Sequence, residues 1–395
     1  MTTYSIFMKP IKRRKKFSHK IWIVLILIIF ILGYFFISSI VLFNRISFKN
    51  DPGYQGSYIH WNNVNTINIL ILYNDNINGN SLNTYNAILS IDPRGTVSVL
   101  NIPSDIKIVT SSGTYQKLNT VYPVGNLNSP QIGINLALKY LRYNLAIPIE
   151  GYISFNSSTI NNLKTGISID SLYNFKYSNI SINKGFNNLS LQEIKDIMGI
   201  QNDNQLTLYL KNTIFDSILS KFVNTLSIAN FGNSAKSLKN IFYSNIGEGS
   251  LNNIFYNIYK VGESNFKLLY LPNKGTDINL QNIDYYISTN FLDYSFSNSS
   301  VLIQILDASN SNSAVYQFSR YINNLGGNIS SIGIYNGNTS KDIIYVSNKS
   351  KYSYDVSVLT QILGSKNVKI IYSTPNFFYT GSIIVVLGTD DTYIY

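Results

Sequence analysis

Residues 68–76 read NILILYNDN, residues 86–105 read NAILSIDPRGTVSVLNIPSD, residues 117–125 read KLNTVYPVG and residues 147–156 read IPIEGYISFN. The run from Ile67 to Leu72 is short, apolar and rich in isoleucine, and it leads into an Asn/Asp/Gly cluster, which is the pattern of a central strand buried on both faces. Ala87–Ile91 and Thr96–Ile102 flank Asp92-Pro93-Arg94-Gly95. Proline presets one turn dihedral there and glycine tolerates positive φ, so the two runs read as a hairpin. Ser129 offers a side-chain oxygen as helix N-cap, and Pro130 suits a first helical position that needs no N–H. Ile132, Leu136, Ala137, Tyr140 and Leu141 then line one helical face. The order predicts an α/β fold, a mixed sheet flanked by helices.

Outside this block the charge is concentrated at one end. The net charge is +11, but the first 50 residues hold nine bases and no acid, which leaves the other 345 at +2. A nearly neutral body lacks the basic stripe that nucleic-acid binding requires, so no nucleic-acid partner is expected. Ile21–Phe43 is 23 residues without a charge. As a helix it extends about 34 Å, enough to cross a hydrocarbon core of roughly 30 Å. Its apolar run is longer than the roughly 7–15 residues of a signal peptide, so it reads as an uncleaved anchor. Seven bases precede it and two follow it, which predicts a cytoplasmic tail at 1–20, a transmembrane helix at 21–43 and an extracytoplasmic remainder in the cell membrane.

Residues 44–64 are polar, contain Pro52 and show no periodicity, as a stalk would. Ser190 and Glu193 form a capping box before Ile194, Ile197 and Met198. Leu206, Leu210, Ile214, Ile218 and Phe222, joined by Phe215, Leu219 and Leu226, make a broad apolar stripe that reads either as sheet-packing core or as the wall of an apolar channel. A first domain is expected over 65–290. FSNSS within 291–300 has linker composition, and 301–395 alternates strand and helix patterns as a second small α/β domain would.

The order and spacing of the four opening stretches resemble the LytR-CpsA-Psr family. In the same chain, VLIQILDASNSNSAVYQFSRYINNLGG (301–327) and GSIIVVLGTDD (381–391) resemble the LytR C-terminal domain, with Asp-Ala-Ser in place of its usual Asn-Gly turn. The family resemblance implies transfer of polymers from a polyprenyl pyrophosphate carrier to peptidoglycan, with Mg²⁺ bridging the pyrophosphate and arginines gripping its oxygens. Hard cations want carboxylate oxygens and phosphates want guanidinium forks. Carried over residue by residue, the resemblance assigns Asp75 and Asp105 as catalytic and Mg²⁺-binding carboxylates. It assigns Ser104, Lys107, Lys117 and Asn119 to the substrate.

The chain departs from that pattern where it matters for phosphate. The Arg-x-Asp step is Leu82-Asn83-Thr84, Pro-Arg-Asp is Pro103-Ser104-Asp105, and no arginine occurs between Arg142 and Arg320. At roughly 1.5–3 kcal/mol per charge-assisted contact, losing three removes on the order of 5–9 kcal/mol. Lys107, Lys117 and Lys211 could restore point charge but not a bidentate fork. The chain has no cysteine, and its two histidines, His19 and His60, lie in the tail and stalk, so neither a thiolate or zinc site nor a Ser-His triad is available to the body. Two readings follow: a weakened transferase of polyprenyl-pyrophosphate-linked glycopolymers, or a non-catalytic polyprenyl-phosphate or glycan-binding scaffold.

Overall fold

The computed structural model describes residues 49–50, 58–77, 80–110, 112–126, 130–163, 165–201, 204–225, 242–261, 265–271, 278–309, 311–364 and 368–390. The expected basic tail, the membrane helix at 21–43, part of the stalk and Ser129 lie outside them. No helix among the described residues is long and apolar enough to cross a membrane.

After β1 (Lys49–Asn50), the apolar run becomes β2 (Ile67–Ile77), which pairs antiparallel with β3 (Asn80–Asp92). The Asp92–Gly95 turn closes when the Gly95 N–H donates to the Asp92 carbonyl at 2.9 Å, and it returns the chain as β4 (Thr96–Ile102). Gly95 sits at φ 105°, a conformation that costs glycine least. A ribbon of β5 (Lys107–Val109) and β6 (Tyr115–Lys117) leads to α1 (Leu118–Asn126) and α2 (Pro130–Leu145), and β7 (Gly151–Phe155) then runs parallel to β2.

The capped turn α3 (Ser157–Ile160) precedes four short strands: β8 (Ile167–Ser171), β9 (Phe175–Tyr177), β10 (Ile180–Ile182) and β11 (Gly185–Leu189). β8 pairs with β11, and β9 pairs with β10. α4 (Leu191–Met198) has the expected Ser190/Glu193 capping box, and α5 (Gln205–Thr225) follows. β12 (Tyr243–Ser244), α6 (Glu248–Val261), β13 (Phe266–Tyr270) and α7 (Leu280–Asn290) complete a seven-stranded mixed sheet of order β1-β12-β7-β2-β3-β4-β13.

Strand alternation sorts the two faces of this sheet. Leu70, Leu72, Ile88, Leu100 and Ile102 pack in one cluster with Val121, Leu138, Leu141 and Ile287 of α1, α2 and α7. On the other face Tyr73 packs against Phe155, and Tyr85 and Phe155 meet Phe215 of α5, with Phe155 stacked on Phe215 at a centroid separation of 5.8 Å. Leu210, Ile214 and Ile218 of the stripe are buried as well and Leu206 is half-buried, so over these residues it is core. Phe222, Leu219 and Leu226 are outside what is described of side chains.

Beyond α7, α8 (Tyr294–Asn298) is followed by β14 (Leu302–Asp307), α9 (Asn312–Asn324), β15 (Asn328–Ile334), β16 (Asp342–Val346), α10 (Ser353–Leu363), β17 (Val368–Ile371) and β18 (Ile383–Leu387). Their strands form a second sheet of order β15-β14-β18-β16-β17. Two expectations change. The segment 291–300 is not an extended linker: Asp293 caps α8 and Phe296 is buried in the second core. The end of the stalk is also integrated, since Ile59 bridges Ile246 and the Trp61 N–H donates to Ser250 Oγ at 2.7 Å. Residues 47–395 form one compact unit.

Candidate functional site

The polar ends of β2 and β3 set the site. The pairing shifts between Tyr73 and Asn74, leaving Thr84 as an extra residue on β3. Such a bulge re-aims side chains beside it. Thr84 Oγ1 donates to the Met198 carbonyl at 2.7 Å and Tyr85 Oη to Asn212 Oδ1 at 3.0 Å, so both side chains reach the α4–α5 side. Lys211, fully buried, donates through Nζ to the carbonyls of Thr84 at 2.5 Å and Ile200 at 2.6 Å. The lysine expected to offer a point charge to phosphate instead ties α5 to the sheet.

Asp75 follows Tyr73 on the same strand face. Its carboxylate accepts from Tyr73 Oη at 2.9 Å and from Ser157 Oγ at 2.6 Å. Burial, reinforced by the Asp75 charge, pushes the Tyr73 phenol well above its ordinary value, so this hydroxyl stays a donor. Asp75 lines a cavity of about 640 Å³ together with Ser157, Tyr177, Asn179, Gln192, Lys195 and Asp196. Within it Gln192 Nε2 donates to Asp196 Oδ1 at 2.7 Å across one turn of α4. Tyr177 is about half exposed, and Phe175 stacks beside it with centroids 6.5 Å apart.

The remaining sequence-assigned residues sit together in the β4–α1 connection. The Asn119 N–H donates to the Ser104 carbonyl at 2.7 Å, and the Leu118 N–H donates to the Ile106 carbonyl at 2.9 Å. Lys107 stands directly opposite Lys117 in the β5–β6 pair. Ser104 is fully buried and Lys117 is exposed. Asp105 does not line the Asp75 cavity. Beside this connection, Asn83 and Asn86 are buried with both amide atoms unpaired, and Asn74 Oδ1, Asp105 Oδ1 and Asn119 Oδ1 also lack partners. The sheet end keeps polar capacity but offers it as carboxamides.

All three arginines of the 46–395 segment make their bonds away from the Asp75 cavity. Arg94 pairs with Asp92 at 2.5 Å and lies 4.8 Å above the Tyr294 ring. Arg142 Nε donates to the Ile149 carbonyl at 2.7 Å. Arg320 bonds Asp284 and the carbonyls of Tyr143 and Asn144. None lines the Asp75 cavity.

The residues present fit a resident Mg²⁺ poorly. Asp75 and Asp105 do not line one cavity, and among the described residues no group of three acidic or histidine side chains could hold a metal ion. Magnesium wants near-octahedral oxygen coordination, which Asp105 Oδ1 alone does not supply.

The sequence reading names Asp75 but none of Ser157, Gln192, Lys195 and Asp196, which share its cavity. Ser157 carries no chemical signature within a capped turn, and Gln192 and Asp196 lie exposed on α4 with Lys195 half-buried beside them.

Comparison with known proteins places the chain. The sequence model of the LytR_cpsA_psr family matches residues 46–296. Among solved structures, B. subtilis TagV is similar at 16% identity, covering 56% of this chain and 94% of its own, with a TM-score of 0.43. TagT bound to LI-WTA shares 14% identity, with 61% and 95% covered and a TM-score of 0.43. The LytR-Csp2A-Psr enzyme from Actinomyces oris shares 15%, with 60% and 95% covered and a TM-score of 0.45. No curated protein matches.

Proposed function

The chain belongs to the LytR-CpsA-Psr family, and from that premise we propose that it binds a cell-envelope glycopolymer and has lost most or all capacity to transfer it from polyprenyl pyrophosphate. The basic leader and apolar run at 21–43 support a single-pass, extracytoplasmic placement, with the membrane, a polyprenyl-linked glycopolymer and peptidoglycan as the partners that the family implies.

One observation carries the reading: none of the three arginines of the body lines the Asp75 cavity, so the guanidinium forks that would hold a pyrophosphate through its transition state are missing there. Electrostatic stabilisation of developing charge is usually the largest catalytic contribution, and a single donor of this kind is worth on the order of 10²–10³ in rate. The lysines do not replace it. Lys211 is bonded to two carbonyls, and Lys117 is exposed on the β5–β6 ribbon.

The second reading, a slow transferase, is favoured by Asp105 Oδ1 in the β4–β5 turn and Asn119 Oδ1 at the start of α1, buried oxygens without protein partners. The two readings separate on one assay. The full-length protein, supplied with a polyprenyl-pyrophosphate-linked glycan and Mg²⁺, is expected to release no polyprenyl phosphate above the protein-free rate. Steady turnover abolished by Asp105→Ala would overturn the binding reading in favour of the slow transferase.

A further inference from the structure

We propose that the Asp75 cavity is a sugar site that takes a neutral, hydroxyl-rich segment of a glycan and excludes its phosphates. The inference rests on the glycopolymer-binding reading and specifies which part of the polymer the protein holds.

The lining supplies the chemistry. Asp75 and Asp196 offer carboxylate oxygens, Asn179 and Gln192 offer planar carboxamides, and Ser157 offers a hydroxyl already held by Asp75 at 2.6 Å. A carboxylate has about four lone-pair positions. Asp75 presents its carboxylate to the same cavity as these groups. Tyr177, 49% exposed and backed by Phe175, presents an aromatic face of the kind on which the C–H side of a pyranose lies. The volume of about 640 Å³ falls within the roughly 300–1,000 Å³ usual for small-ligand sites.

Charge decides between sugar and phosphate. Lys195 is the one cation in the lining, set against Asp75 and Asp196, so the cavity is net negative. A phosphate entering it would face two carboxylates with a single compensating ammonium, whereas a neutral polyol meets hydrogen-bonding groups without repulsion. The missing arginines then become a specificity feature as well as a catalytic loss: their absence lets this end of the sheet accept hydroxyls.

The test uses the full-length protein in detergent and calorimetric titration with three probes: neutral hexose and N-acetylhexosamine oligosaccharides, glycerol phosphate oligomers, and inorganic pyrophosphate. A neutral oligosaccharide is expected to bind with an affinity insensitive to salt. Asp75→Asn should weaken it about ten- to hundredfold, as loss of a charge-assisted acceptor does. Tyr177→Ala, at an exposed position that leaves the fold intact, should weaken it severalfold. Glycerol phosphate and pyrophosphate should not bind. Salt-dependent phosphate binding lost in Lys195→Ala would overturn the proposal and make the cavity an anion site. Oligosaccharide binding unchanged in both Asp75→Asn and Tyr177→Ala would also overturn it, moving the glycan elsewhere while the glycopolymer reading stands. Silence from every probe would overturn the site and the reading together.

Discussion

Glu150 shows how one residue can make the molecule pH-sensitive. It follows the turn out of α2, where its carboxylate accepts the Asn68 N–H at 2.6 Å and a bond from Gln361 Nε2, and it lines a cavity of about 480 Å³ with Lys139, Arg142 and Tyr321. Burial raises its pKa to about 7, against the lowering pull of those bonds and of Arg142. An acid whose folded pKa lies above its unfolded value of 4.5 binds more protons folded than unfolded. Its stabilising protonation is fully present below about pH 4.5 and is lost as pH rises through about 7. The shift corresponds to at most roughly 3 kcal/mol, less where the cavity admits water. Glu150→Gln is expected to flatten the denaturation midpoint between pH 5 and 8 and to raise it at pH 8. A wild-type midpoint that rises over this range would reject the assignment.

At the scale of elements, what is local was legible and what is distant was not. The hairpin around Pro93-Arg94-Gly95 and the Ser190/Glu193 cap depend on neighbours within a few residues, and the structure has both. The site depends on pairs far apart in the chain. Ser157 reaches Asp75 across 82 residues and Lys211 reaches Thr84 across 127, and no composition rule connects them. Putting arginine and aspartate back at 104 and 84, as the family pattern suggests, would bury charge at two fully enclosed positions. The segment 291–300 misled for a related reason, since FSNSS has a linker's composition while Phe296 is 1% exposed in the second core and Asp293 accepts Tyr354 Oη at 2.6 Å. Phe296→Ala should therefore cost about 3–5 kcal/mol in urea denaturation. A loss under roughly 0.5 kcal/mol, typical of exposed sites, would restore the linker.

At the scale of the whole molecule, the second sheet completes a helix of the first. α2 ends with carbonyls that have no intrahelical partner, and α9 satisfies them from across the molecule. Gln317 Nε2 donates to the Tyr143 carbonyl at 2.9 Å, Arg320 to the carbonyls of Tyr143 at 3.0 Å and Asn144 at 2.9 Å, and Asn324 Nδ2 to that of Leu145 at 3.0 Å. Arg320 also pairs with Asp284 of α7 at 2.7 Å and is 4% exposed. A cation at a helix C-terminus interacts favourably with the negative end of the macrodipole. Removing one partner of a buried pair typically costs about 3–5 kcal/mol because the other is left uncompensated. Arg320→Ala should therefore destabilise both halves together, and hydrogen exchange should show β2–β4 and β14–β18 opening in one step in the wild type. A fragment ending at residue 300 would expose the α2 carbonyls, Asp284 and the Phe296 face at once, so it should melt well below the full chain. If that fragment melts at the full-length temperature, the second sheet is an appended module, and the glycan cavity must owe its order to the first sheet alone.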